Sequence, residues 1–169
     1  MVGVNLGLPV DFELMLRTLL AFVLGAVIGY ERETTQRPAG LRTHMLVAAG
    51  SAVFTIASIY AFAGQGTVRD PGRVAAQIVT GVGFLGAGTI WRTSSTVRGL
   101  TTAASIWLVA AVGMLVGSGL YLLAIFTTVC GFATLRWGRP PSRRRRHKSG
   151  EPSITGEGVL VDQEEQIVD

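Results

Sequence analysis

Three groups of residues in this chain have types and spacings that could carry chemistry. Gly81-x-Gly83-x-x-Gly86 has the spacing with which a dinucleotide-binding enzyme brings its backbone up to a pyrophosphate. Glu31, Arg32 and Glu33 lie close in sequence to Arg42, Thr43 and His44, and could pair charges or offer ligand atoms to a cation. The run "WRTSSTVRGLTTAA", from Trp91 to Ala104, supplies hydroxyls that could act as nucleophiles if a base stood beside them.

Each chemistry needs a context. A dinucleotide fingerprint requires a strand before it, a helix opening at it and an acidic residue about 20 positions on. Upstream stands "RVAAQIVT", too rich in Ala and Gln for a buried strand, and downstream "TTAASIW" has no carboxylate. No Asp or Glu occurs between Asp70 and Glu151, so the nucleotide reading fails.

Soft-metal sites need clusters of His or Cys. His44 has only His147 for company, far away in a basic tail, and Cys130 is the sole cysteine, which also excludes an intrachain disulfide. A hard cation such as Mg²⁺ needs oxygen ligands, but Asp70 and the Glu31/Glu33 pair fall on opposite sides of the chain's organisation. No cofactor is therefore expected, and Mg²⁺ stays open as a ligand for which the sequence offers no dedicated cage. With no G-x-S-x-G elbow, no H-E-x-x-H and no base near the hydroxyls in sequence, no catalytic residue is assigned and the chain reads as a non-enzyme.

The elements that hold these residues are written for lipid. Of the 169 residues, 49% are hydrophobic and 15% charged, and the charges fall in short clusters between long apolar runs; soluble domains carry about 25% charged residues. A crossing helix needs about 20 apolar residues. On that criterion the chain is all-α, a polytopic bundle of about five transmembrane helices: Leu14 to Tyr30, Leu41 to Ala63, Gly72 to Trp91, Leu100 to Gly117 and Leu120 to Trp137. Residues 1–13 precede this 14–137 domain, and 138–169 form a basic, then acidic, disordered tail.

Arginine placement orients the bundle. Arg32, Arg37 and Arg42 follow the first span, Arg92 and Arg98 the third, and "RWGRPPSRRRRHK" the fifth. The positive-inside rule then puts the N-terminus out and the C-terminus in, with Arg17 and Arg73 as counter-votes. The high pI follows from that topology and from no nucleic-acid fold; Arg143, Arg144, Arg145 and Arg146 could hold anionic lipid headgroups.

Small residues let helix backbones approach in lipid. Gly25 and Gly29, and Gly113 and Gly117, are G-x-x-x-G pairs, and the third span is crowded with Gly81, Gly83, Gly86 and Gly88, which suggests a central helix touched on several sides. Asp70 is a good N-cap ahead of Pro71. Arg73 and Gln77, one turn apart, carry a polar strip into the membrane from the outer side. Glu31, at the end of an apolar helix, reads either as a solvated loop residue or, more sharply, as a buried partner of Arg42 or Arg98, because an ionisable group at membrane depth is costly unless paired.

Taken together, "GAVIGYERE", "AGLRTHMLVAAGSAVF", "DPGRVAAQIVTGVGFLGAGTI" and "VRGLTTAASIWLVAAVGMLVGSGLY" resemble the MgtC/SapB family of bacterial inner-membrane proteins, from about Leu16 to Phe132. The resemblance implies a multi-pass domain in a bacterial inner membrane, associated with adaptation to low Mg²⁺. In the virulence-factor branch it also implies survival inside macrophages and restraint of the ATP synthase. That branch resembles "GLNTAA" where this chain has Thr101, and it carries a folded cytoplasmic domain that the short tail does not supply, so the generic branch is the better match.

Two functions follow. One is a non-enzymatic membrane protein acting in Mg²⁺ physiology through a membrane protein partner or as a homo-oligomer. The other is a transporter or channel for Mg²⁺ or another small solute, with a path past Gln77, the third-span glycines and Glu31.

Overall fold

The computed structural model describes residues 9–61 and 71–138. Five helices run in order: α1 Val10–Thr34, α2 Leu41–Tyr60, α3 Pro71–Ala87, α4 Leu100–Gly117 and α5 Tyr121–Trp137. Between α3 and α4 lies a short antiparallel hairpin, β1 Trp91–Arg92 and β2 Val97–Arg98, with Trp91 opposite Arg98 and Arg92 opposite Val97. The architecture is all-α apart from that hairpin. Helices α1, α2 and α4 are long and apolar enough to cross a membrane, while α5 is apolar but has 17 residues. Asp70 and the run Arg143 to Arg146 lie outside the described residues, as does nearly all of the tail.

Two helices depart from the sequence reading at their ends. Helix α1 starts at Val10 and reaches Thr34, because Glu13 and Arg17 neutralise one another within it and Glu31 and Arg32 do the same near its end. Helix α3 stops at Ala87 and not at Trp91, since the chain turns at Gly88 and Thr89 and enters the hairpin. The hairpin closes through Thr93, whose N–H donates to the Thr96 carbonyl at 2.9 Å. Gly99 follows with φ 92°, a conformation that glycine adopts without strain, and a side chain there would run into the Thr89 carbonyl.

Helices consecutive in the chain alternate in direction. A Cβ on Gly25 would meet the His44 carbonyl at 2.7 Å, and one on Gly29 the Leu41 Cα at 2.8 Å, so α1 and α2 are antiparallel. Gly113 backs onto Ala48, and Gly117 onto Ala52 with its carbonyl at 2.7 Å, which makes α4 parallel to α2. Ile78 and Val82 pack with Ile106 and Ala110, and Gly86 with Ala103 at 3.5 Å, so α3 runs against α4. Gly131 of α5 meets Leu108, and Ala124 joins Val116, so α5 also opposes α4. One end of the bundle therefore gathers the α1–α2 turn, the hairpin and the end of α5. The other gathers the starts of α1, α3 and α5.

The crowded central helix is α4, not α3. Every core cluster contains α4 residues: Val112 and Val116 with Ala21 and Leu24, Ile106 and Ala110 with Ile78 and Val82, and Val109 with Ile28 and Ala48. Gly81 and Gly83 of α3 have nothing within 4 Å of a Cβ position. Small residues permit close approach without requiring it. On α4 the glycines alternate with branched Val and Ile side chains that fill the space around them, whereas α3 packs along Val74, Ile78, Val82 and Gly86 and leaves most of the rest of its surface exposed.

Candidate functional site

The buried face of α1 runs through Glu13, Arg17, Ala21, Leu24, Gly25, Ile28 and Gly29 to Glu31 and Arg32. Spacings of three and four keep most of these on one stripe. An ionic pair thus stands at each end of the stripe, with an apolar stretch between.

At the end where α1 begins, Arg17 is 6% exposed and Glu13 7%. Arg17 Nη2 donates to Glu13 Oε1 at 2.5 Å, and its Nη1 to the Gly117 carbonyl at 3.0 Å. The guanidinium lies 5.9 Å from the Tyr60 ring centroid and 5.8 Å from that of Tyr121, within cation–π range. Arg17 thereby touches α1, α2, α4 and α5.

At the other end, Arg32 donates through Nε and Nη2 to Glu31 Oε2, and both residues are 2% exposed. Adjacent helical residues normally point apart, so the long Arg32 side chain folds back to reach its neighbour. Arg32, read from the sequence both as a topology determinant and as a candidate for charge pairing, is a buried ion-pair member. Arg42 and Arg98, the partners expected for Glu31, both occupy exposed positions. Beside the pair, between α1 and α5, lies a cavity of about 420 Å³ lined by Tyr30, Glu31, Thr34, Thr35, Phe132 and Arg136.

His44 is fully buried near this end. Its Nδ1 lies 2.8 Å from the Gly40 carbonyl and its Nε2 3.0 Å from Ser105 Oγ, which itself donates to the Thr102 carbonyl at 2.8 Å. A carbonyl only accepts, so Nδ1 carries a proton. The hydroxyl of Ser105 then faces a choice: it donates to Thr102 when Nε2 also carries a proton, or to Nε2 when His44 is neutral.

Of the other residues singled out in the sequence, Arg73 and Gln77 lie exposed on α3, and Thr101 is exposed in the first turn of α4. Gln77 lines an open groove between α2 and α3, and Glu31 lines the α1–α5 cavity. Gly25, Gly29, Gly113 and Gly117 make the close helix contacts, whereas Gly81, Gly83 and Gly88 make no helix-helix contact of that kind. Among the described residues no cluster of three His, Cys, Asp or Glu could hold a metal. The sequence reading missed the Glu13–Arg17 clamp, although their spacing of four was a visible signal. It also missed the His44–Ser105 contact, which spans 61 positions and has no local signature.

The MgtC family model matches residues 18–144. The chain belongs to the MgtC family. It is 49% identical over 121 residues to a protein of Escherichia coli K12 named "Putative magnesium transporter YhiD", covering 69% of this chain and 56% of that one. It is also 49% identical over 118 residues to Protein MgtC of Salmonella typhimurium, covering 70% of this chain and 49% of the relative. A Haemophilus influenzae protein is 39% identical over 157 residues, covering 89% of this chain and 66% of that one. The chain spans about half the length of the first two relatives. No solved structure matches it. The three long apolar helices α1, α2 and α4 agree with membership of this family of membrane proteins.

Proposed function

We propose that this MgtC-family chain is a five-span bacterial inner-membrane domain, N-terminus out and C-terminus in, that acts in Mg²⁺-linked physiology by packing against a membrane partner. The observation that carries the reading is the apolar core between the two ion pairs. Ala21, Ile28, Ala48, Ala52, Val109, Val112 and Val116 have no exposed surface and fill the middle of the bundle. Transport paths are built from polar groups near the bilayer midplane, and here the buried charges stand at the ends. Favouring the orientation, Arg32, Arg37, Arg42, Arg92, Arg98 and Arg136 gather at one end, against Arg17 and Arg73 at the other. No catalytic step belongs to this reading, since the His44–Ser105 pair is sealed inside the bundle.

A second reading, transport of Mg²⁺ or another small solute, is favoured by the name of the Escherichia coli relative. Mg²⁺ uptake into liposomes bearing the folded, inserted protein separates the two. Background flux, equal to empty liposomes and to Glu31→Gln, is the outcome for partner binding. Flux above background that falls in Glu31→Gln overturns it and makes the chain a transporter.

A further inference from the structure

The open groove between α2 and α3 has a volume of about 510 Å³ and is walled by Leu46, Gly50 and Phe54 on one side and Val74, Gly81 and Leu85 on the other. Neither Gly50 nor Gly81 has any atom within 4 Å of where a Cβ would stand, so both glycines leave their stretch of the groove open. From Val74 to Leu85 the helix advances about 16 Å at about 1.5 Å per residue. That is about half of a 30 Å hydrocarbon core, the depth of one leaflet.

Charge is concentrated at one mouth. Arg42 is exposed one helical turn before Leu46, on the same face of α2, and forms no ion pair with another described residue. Because α3 runs against α2, this mouth also receives the hairpin, where Trp91, Arg92 and Arg98 are all exposed and Gly99 backs onto Thr89 and Ile90. The nearby carboxylate of Glu33 is held by the Leu41 N–H at 2.9 Å. The opposite mouth has Arg73.

We propose that this groove binds an anionic phospholipid, with an acyl chain along Gly50 and Gly81 and the phosphate against Arg42 and the hairpin arginines. Guanidinium groups match phosphate oxygens in geometry and charge, and Trp91 takes the interfacial position that tryptophan favours. The apolar walls explain why a chain enters, and the arginines explain why the headgroup is anionic. A helix from a second copy would fill the walls and leave the arginines without a role.

The test is native mass spectrometry of the full chain, released from mild detergent after exposure to phosphatidylglycerol or phosphatidylcholine. Phosphatidylglycerol is retained preferentially, and Arg42→Gln weakens retention about fivefold, the effect of one arginine near an anionic surface. Gly81→Leu fills the groove from open space and abolishes the preference. Gly83→Leu, equally unobstructed but outside the groove lining, leaves it intact. The arginines of the tail are present in every variant, so differences between variants read the groove. Equal retention of both lipids, or wild-type retention by Gly81→Leu, overturns the proposal. A change of oligomeric state in Gly81→Leu with lipid retention unaltered also overturns it, and assigns the groove to a second copy.

Discussion

Arg17 Nη1 donates a 3.0 Å hydrogen bond to the carbonyl of Gly117, 100 positions away. That carbonyl belongs to the last turn of α4, where the helix leaves acceptors unsatisfied and carries partial negative charge. One guanidinium thus closes the end of α4, neutralises Glu13 and lies beside Tyr60 and Tyr121. Arg17→Gln is expected to lower the thermal midpoint of the detergent-solubilised protein, since stranding one member of a buried pair costs on the order of 3 kcal/mol. The Glu13→Gln/Arg17→Gln double variant should lose less than the sum of the singles. Additive losses would mean that the two side chains act separately.

The hydrogen bond between His44 and Ser105 joins α2 to α4. Bonds of this kind inside membrane bundles average about 0.6 kcal/mol and reach about 1.7 kcal/mol. Ser105→Ala should fall in that range, and His44→Ala should cost more, because it also empties a fully buried site. A double-mutant cycle on thermal stability measures the coupling, and a coupling of zero would remove the bond from the list of interactions that hold these helices.

Gly113 and Gly83 make a paired test of the glycines. A side chain on Gly113 falls on the Ala48 carbonyl, while one on Gly83 meets nothing within 4 Å. Gly113→Leu should therefore abolish monodisperse elution in size-exclusion chromatography, and Gly83→Leu should elute as wild type. The reverse result would return α3 to the centre of the bundle.

Glu31 and Glu33 separate burial from mere presence of charge. Glu31→Gln leaves the buried Arg32 with a weaker acceptor and should melt at lower temperature. In Glu33→Gln the amide oxygen still accepts from Leu41 N–H at an exposed position, so its melting curve should match wild type. Equal effects of the two would show that the Glu31 pairing adds nothing.

Orientation can be read by thiol labelling. In a Cys130→Ser background, Arg92→Cys is expected to react with an impermeant reagent only in inverted vesicles, and Asp11→Cys only in intact spheroplasts. Labelling of both from one side would break the alternation of spans.

Much of this protein is legible before folding. The long apolar runs dictate helices, because a backbone in lipid must satisfy its own hydrogen bonds, and α1, α2 and α4 fall close to where hydropathy places them. The paired glycines at 25 and 29, and at 113 and 117, announced their contacts, since their spacing keeps both on one helix face. The motif residues carried the family. Tertiary structure alone decided which glycine-rich helix is central, because absence of a side chain allows proximity but cannot say what comes near. It also decided that Glu31 meets Arg32, that Arg17 reaches Gly117, and that His44 meets Ser105. The last two pairings join residues far apart in sequence, and the first depends on how a side chain bends back. Each is settled only when the helices pack and water is excluded.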